Sequence, residues 1–140
     1  MNTSVVRALT VSQPWASAIA YGTQRVINHP EPTDYRGPLL VHAGHRTDFH
    51  AWRTPLTRPF LRRPQPTGAV LAVAWLEDCH PGDGYCTLWS LRDMWHWRLS
   101  TVTCLASPVP WHNDSPGPWA PPALLRANPR IVEALEAARA

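Results

Sequence analysis

The chain has 140 residues, 44% of them apolar and 16% charged, which fits one globular domain and excludes a disordered or acidic, solvating protein. All 13 basic residues are arginine, so chemistry that needs a lysine amine is excluded. Eight tryptophans and an arginine-only basic set suit a partner that stacks and carries phosphate, although a formal charge of +3 does not by itself select a nucleic acid.

"VVRALTV", Val5 to Val11, is β-branched and short, and reads as a strand. Ser12 is placed to cap a helix that has Pro14 in its first turn and Trp15, Ala18 and Ile19 on one face, with Gly22 as a left-handed stop. The proline-punctuated stretch from Asn28 to Arg36 reads as irregular. In "GPLLVHAG" Leu39 and Val41 alternate with Leu40 and His42, as in a second strand. "HRTDFHAW" has room for a helical turn or two, and "RTPLTRPFLRRPQPTG" reads as a loop because its prolines disfavour regular structure.

"GAVLAVAWLEDC" is apolar on both faces and reads as the central strand of a covered sheet. From Trp95, "WHWRLSTVTCL" sets Trp95, Trp97 and Leu99 against His96, Arg98 and Ser100, a strand with one packed and one polar, basic face. The turn-rich "SPVPWHNDSPGPWAPP" follows. Asn128 then caps a helix that Pro129 starts, with Ile131, Val132, Leu135 and Ala138 in one stripe. The expectation is a single domain over residues 1–140, of α+β class, whose small sheet curls into a barrel with flanking short helices.

Three cysteines cannot all pair, and the N-terminus has neither the apolar core nor the cleavage site of a signal peptide. No apolar run approaches the ~18 residues of a spanning helix. A cytoplasmic protein without a membrane partner is expected.

"ALTVSQPWASAIAYG", "PTDYRGPLLVHAG", "GAVLAVAWLEDC" and "WHWRLSTVTCLASPVP" with "GPWAPP" together resemble the ASCH domain, a branch of the PUA-like superfamily. The most specific pieces are Gln13-Pro14-Trp15 and Tyr35-Arg36-Gly37 before the strand that carries His42. The resemblance implies a mixed pseudobarrel with a cleft between barrel and helices, in a superfamily of RNA-binding domains and modified-base readers. Its members typically carry a Lys-x-x-Glu-x-Arg pattern after the first helix, with Thr for Glu in a branch that resembles amidohydrolases of acetylated cytidine. Here those positions read Gln24, Ile27 and His29. Neither Gln24 nor Ile27 can move a proton near neutral pH, so a conventional hydrolase of that branch is not expected.

His42, His45, His50 and Asp48 are crowded enough to raise a metal site, but His45 and His50 would point to different faces of a helix, and Cys79, His80 and Cys86 lack a second ligand pair. No metal and no cofactor is expected. A nucleobase cleft needs an aromatic plane, an edge-reading polar group and a cation for phosphate. Trp15 supplies the plane, Gln13 and Thr33 the polar groups, and Arg36 the fork, with His42 beside them. Arg62 and Arg63, with Arg58, flank a loop able to follow a phosphate backbone.

The reading is binding of RNA, single-stranded nucleic acid or a modified nucleoside through Gln13, Trp15, Thr33, Arg36, His42, Arg62 and Arg63. The alternative is a ribonuclease or amidohydrolase using His42, His29 and Arg36. A third is a protein-interaction module with a protein partner.

Overall fold

The structure, a computed structural model, describes residues 5–61, 65–82 and 87–139. The elements run β1 (Arg7–Gln13), α1 (Trp15–Tyr21), β2 (Val26–His29), β3 (Gly37–Thr47), two 3-10 turns (Phe49–Arg53 and Pro55–Thr57), α2 (Arg58–Leu61), β4 (Ala69–His80), β5 (Trp95–Pro110), α3 (Ala123–Arg126) and α4 (Pro129–Arg139). The strands form one sheet in the order β1-β3-β4-β5-β2, with β1 parallel to β3 and the other pairs antiparallel. The mixed α+β composition is as expected; among the described residues the five strands form a sheet that is not closed, with β2, of four residues, at one edge and β1, whose outer side takes a single bridge from Ala8 to Trp119, at the other.

Both faces of the sheet are covered, which is why β3 and β4 are apolar on both sides. Leu9, Val11, Leu39 and Val41 lie in one core with Ala16 and Ile19 of α1, Ile27 and the fully buried Trp97. Ala8, Leu40, Val70 and Val73 lie in a second core, covered by Leu125, Ile131, Ala134 and Leu135 of α3 and α4. Alternation along a strand assigns odd and even residues of β1 and β3 to opposite layers. β4, read as the core strand, is the middle strand of the five.

Several local expectations are corrected. Ser12 belongs to β1 and does not cap α1; instead the Gln13 side-chain oxygen accepts from the Ser17 amide at 3.0 Å. Gly22 is extended (φ −127°), and its requirement is steric: a Cβ there would lie 2.5 Å from the Phe60 ring and 2.8 Å from the Ala18 carbonyl oxygen. The Arg25 guanidinium donates to the carbonyls of Ile19 and Gly22, meeting acceptors that a helix end leaves unpaired. The stretch read as irregular after Asn28 begins inside β2, and the stretch read as a loop folds into a 3-10 turn and α2. His96, placed on a polar face, is 1% exposed. On α4 the stripe holds at Ile131 and Leu135, with Ala134 in the core, while Val132 is 38% exposed. Among the described residues no helix is long and apolar enough to cross a membrane.

Candidate functional site

A cleft of about 220 Å³ opens where the end of β1, the start of α1 and β2 meet. Its walls are Leu9 to Ser12, Trp15, Gln24, Ile27, Asn28, His29 and Asp48, closed on one side by Leu91 and Met94. Asp48 directly follows β3 and caps the first 3-10 turn, accepting from the His50 amide through Oδ1 at 3.0 Å. Its Oδ2 accepts from Trp15 Nε1 at 2.8 Å, and its own amide donates to the Gln13 carbonyl at 2.7 Å. The carboxylate is therefore held in place with lone pairs to spare, beside a half-buried indole. No arginine lines this cleft among the described residues, so its charge is that of Asp48.

The rest of the wall is polar but quiet. Gln24 is 2% exposed; its Nε2 donates to the Val26 carbonyl at 2.8 Å, while Oε1 has no partner. An unpaired buried amide oxygen costs about 1–3 kcal/mol, so this one marks an unmet demand in the wall. His29 stacks on Trp97 with ring centroids 4.4 Å apart, and its Nδ1 lies 3.0 Å from the Glu31 amide nitrogen and 3.1 Å from the Glu31 carbonyl oxygen. Burial pushes the His29 pKa below its ordinary value, against the opposing pull of the Glu31 carbonyl and charge.

The segment 87–94 straps the cleft. Asn28 clamps it with both amide atoms, donating to the Trp89 carbonyl at 2.9 Å and accepting from the Leu91 amide at 2.8 Å. Trp89 meets Trp15 edge to face, centroids 6.4 Å apart. From behind, His96 Nε2 donates to the Leu91 carbonyl at 2.6 Å, and its Nδ1 faces His80 Nε2 at 3.3 Å. His80 Nδ1 in turn meets Asp78 Oδ2 at 2.9 Å, and this hydrogen bond holds the exposed Asp78 carboxyl below its usual pKa.

Of the residues expected to bind, Trp15 lines the cleft; Gln13, Thr33, Arg36 and His42 do not. Gln13 is buried, with Nε2 on the Pro66 carbonyl at 2.7 Å and Oε1 on the Ser17 amide. His42 faces the second core, where Nδ1 accepts from the Thr10 hydroxyl at 3.0 Å and Nε2 donates to the Trp111 carbonyl at 2.7 Å. Thr33 caps its own turn by accepting from the Tyr35 amide, and the exposed Arg36 donates to the Thr33 and Tyr35 carbonyls at 2.9 and 2.8 Å, with neither Asp34 nor Asp48 as partner. Arg36 precedes the first residue of β3 and Asp48 follows the last, so the two are separated by a strand length on the order of 30 Å. His42 is buried with both ring nitrogens bonded to Thr10 and Trp111, and of the trio His42, His29 and Arg36 only His29 lines the cleft, so the cleft does not bring the three together. Arg62 and Arg63 lie outside the described residues. His45 sits on β3 and not on a helix, and no group of three or more metal-ligating side chains is found among the described residues.

Asp48, considered from the sequence only as a metal ligand beside His42, His45 and His50, and Asn28, not singled out at all, both line the cleft. A signal for Asp48 existed in its place at the start of a helical turn, where a carboxylate can cap. Asn28 offered none, because its partners lie more than sixty positions away in the chain. Gln24, Ile27 and His29, the three positions singled out by the resemblance, all line the cleft. No protein-family model and no curated protein matches the chain.

Proposed function

We propose that the protein binds RNA or a modified nucleotide by taking one nucleobase into the cleft at Trp15, with Asp48 reading an amino group on the base edge. The observation that carries this reading is the fixed Trp15–Asp48 pair, an aromatic surface beside a carboxylate that is oriented before any ligand arrives. A carboxylate accepts from exocyclic amino and ring N–H groups and repels phosphate, so it selects a base edge and not a backbone. The volume of about 220 Å³ is below the roughly 300–1,000 Å³ of drug-sized sites and suits a planar ring. The resemblance to ASCH domains supports the same cleft, because its three characteristic positions fall on the wall, and with Gln24 in place of the lysine the chemistry left is recognition.

Tryptophan fluorescence with a panel of nucleosides tests this. Cytidine, adenosine or guanosine, or a modified form that keeps a donor at the amino position, binds. Trp15→Ala weakens it at least tenfold, and Asp48→Asn weakens it while reducing the preference for amino-bearing bases. Equal binding by wild type and both variants would remove the cleft from the account. Asp48 and His29 are the two titratable groups on the wall, so the hydrolytic alternative is read in the same experiment. Acid released from an N-acylated base, and lost in Asp48→Asn, would make hydrolysis the function.

A further inference from the structure

We infer that the groove beside β1, walled by Gly44, His45, Arg46 and residues 113–116, is a phosphate site continuous with the base cleft, so that the ligand is a nucleotide or an RNA chain and not a nucleoside alone. The inference rests on the base-binding reading above.

Three observations carry it. The groove has a volume of about 760 Å³ and shares Thr10 and Ser12 with the cleft, so one ligand can occupy both. The cleft is walled by Leu9, Val11 and Ile27 on the first core's side of the sheet; the groove lies beyond β1 on the side where Thr10 meets His42. Between them runs the outer edge of β1. The amide and carbonyl of Ala8 pair with Trp119, and alternation turns those of Thr10 in the same outward direction, where no strand pairs with them among the described residues. A chain that leaves the cleft therefore crosses an edge that still offers a donor and an acceptor.

An arginine distinguishes the groove from the cleft. The cleft holds a carboxylate and no arginine. In the groove, Arg46 is exposed and its guanidinium makes no ion pair or hydrogen bond among the described residues, whereas the one acid, Asp114, is bound to His112 Nε2 at 2.9 Å. The exposed His45, with its ring centroid 6.5 Å from that of His112, adds a donor, as do the hydroxyls of Ser12 and Ser115. An unpaired guanidinium among hydroxyl and imidazole donors is the fork that phosphate takes. Asn113 fixes the far wall by donating to the Thr10 hydroxyl at 3.0 Å and to the Ser115 carbonyl at 3.2 Å.

The test compares, by fluorescence titration across a salt series, the best-binding nucleoside with its 5′- and 3′-monophosphates and a short single-stranded RNA. One monophosphate binds about tenfold tighter than the nucleoside, the scale of a charge-assisted contact. Arg46→Ala removes that increment and leaves nucleoside affinity unchanged; for the RNA it lowers the slope of log affinity against log salt by roughly 0.7. His45→Ala reduces the increment in part, and Arg126→Ala, on α3, preserves it.

A nucleoside that binds as tightly as both monophosphates, with Trp15→Ala abolishing all three, overturns the phosphate site and leaves the base reading standing. An increment that survives in both Arg46→Ala and His45→Ala overturns it as well. No binding by nucleoside, monophosphate or RNA overturns both readings and turns attention to a protein strand pairing with the open edge of β1.

Discussion

The His42 imidazole gives both nitrogens to the fold, accepting from Thr10 and donating to Trp111, while the Thr10 hydroxyl also accepts from Asn113 and from Trp119 Nε1. Burial pushes its pKa below the ordinary 6.5, partly offset by the Trp111 carbonyl and reinforced by His45 and His112. The neutral ring is thus the folded form. Because the folded pKa is depressed, the unfolded chain takes up a proton first as pH falls. The contribution of His42 is complete above about pH 6.5 and is lost as pH drops from there toward the folded value. Denaturation midpoints of wild type should therefore fall between pH 7 and 5 more steeply than those of His42→Gln. At pH 7.5, His42→Ala should cost about 2–4 kcal/mol, since it empties a buried site and leaves the Thr10 and Trp111 groups unpaired. A variant as stable as wild type would mean that water takes over both hydrogen bonds. Gln13, 1% exposed, is likewise an internal strut, whereas Asp48 stands on the cleft wall with one hydrogen bond to each carboxylate oxygen.

Two elements decide the shape of the cleft, and both depend on distant partners. β2 is a four-residue edge strand, "VINH", whose Ile27 pairs with Trp97 and whose Asn28 and His29 hide its apolar half from any alternation test. The 87–94 strap is held by Asn28 and by the chain from Asp78 through His80 and His96 to the Leu91 carbonyl. Asn28→Ala removes two hydrogen bonds at once and should speed hydrogen exchange at the Leu91 amide by ten- to a hundredfold, with global stability lowered by about 1–3 kcal/mol. Nucleoside affinity should fall with it, because Leu91 and Met94 then no longer close the wall. Exchange at Leu91 unchanged by this substitution would show that the strap is held by its other contacts.

At the scale of the molecule, two cores on opposite faces of one sheet share the load, and the second depends on the C-terminal segment. Trp119 bridges Ala8 with two backbone bonds of 2.8 Å, and α4 covers the face with Ile131, Ala134 and Leu135. Ile131 is fully buried, so Ile131→Ala should lower stability by about 2–5 kcal/mol in a urea titration, against less than about 0.5 kcal/mol for Glu136→Ala on the exposed side. Similar losses for the two variants would mean that the helix is not packed as described.

Apolar pattern alone determined the strands around Leu9, Leu39, Val73 and Trp97 and the helix at Ile131, because period-2 and period-3.6 burial is written into neighbouring residues. Composition alone likewise removed lysine chemistry. The open sheet, the short β2 and the assembly of the cleft were decided by tertiary structure, because each depends on pairing between segments far apart in the chain. Gln13 and His42 have the residue types of a binding site, yet both are buried away from the cleft with each side-chain polar atom bonded within the fold. Asp48 keeps a spare lone pair on each oxygen because Trp15 and His50 approach it from one direction each, and that accounting exists only once β3 has brought residue 48 beside residue 15.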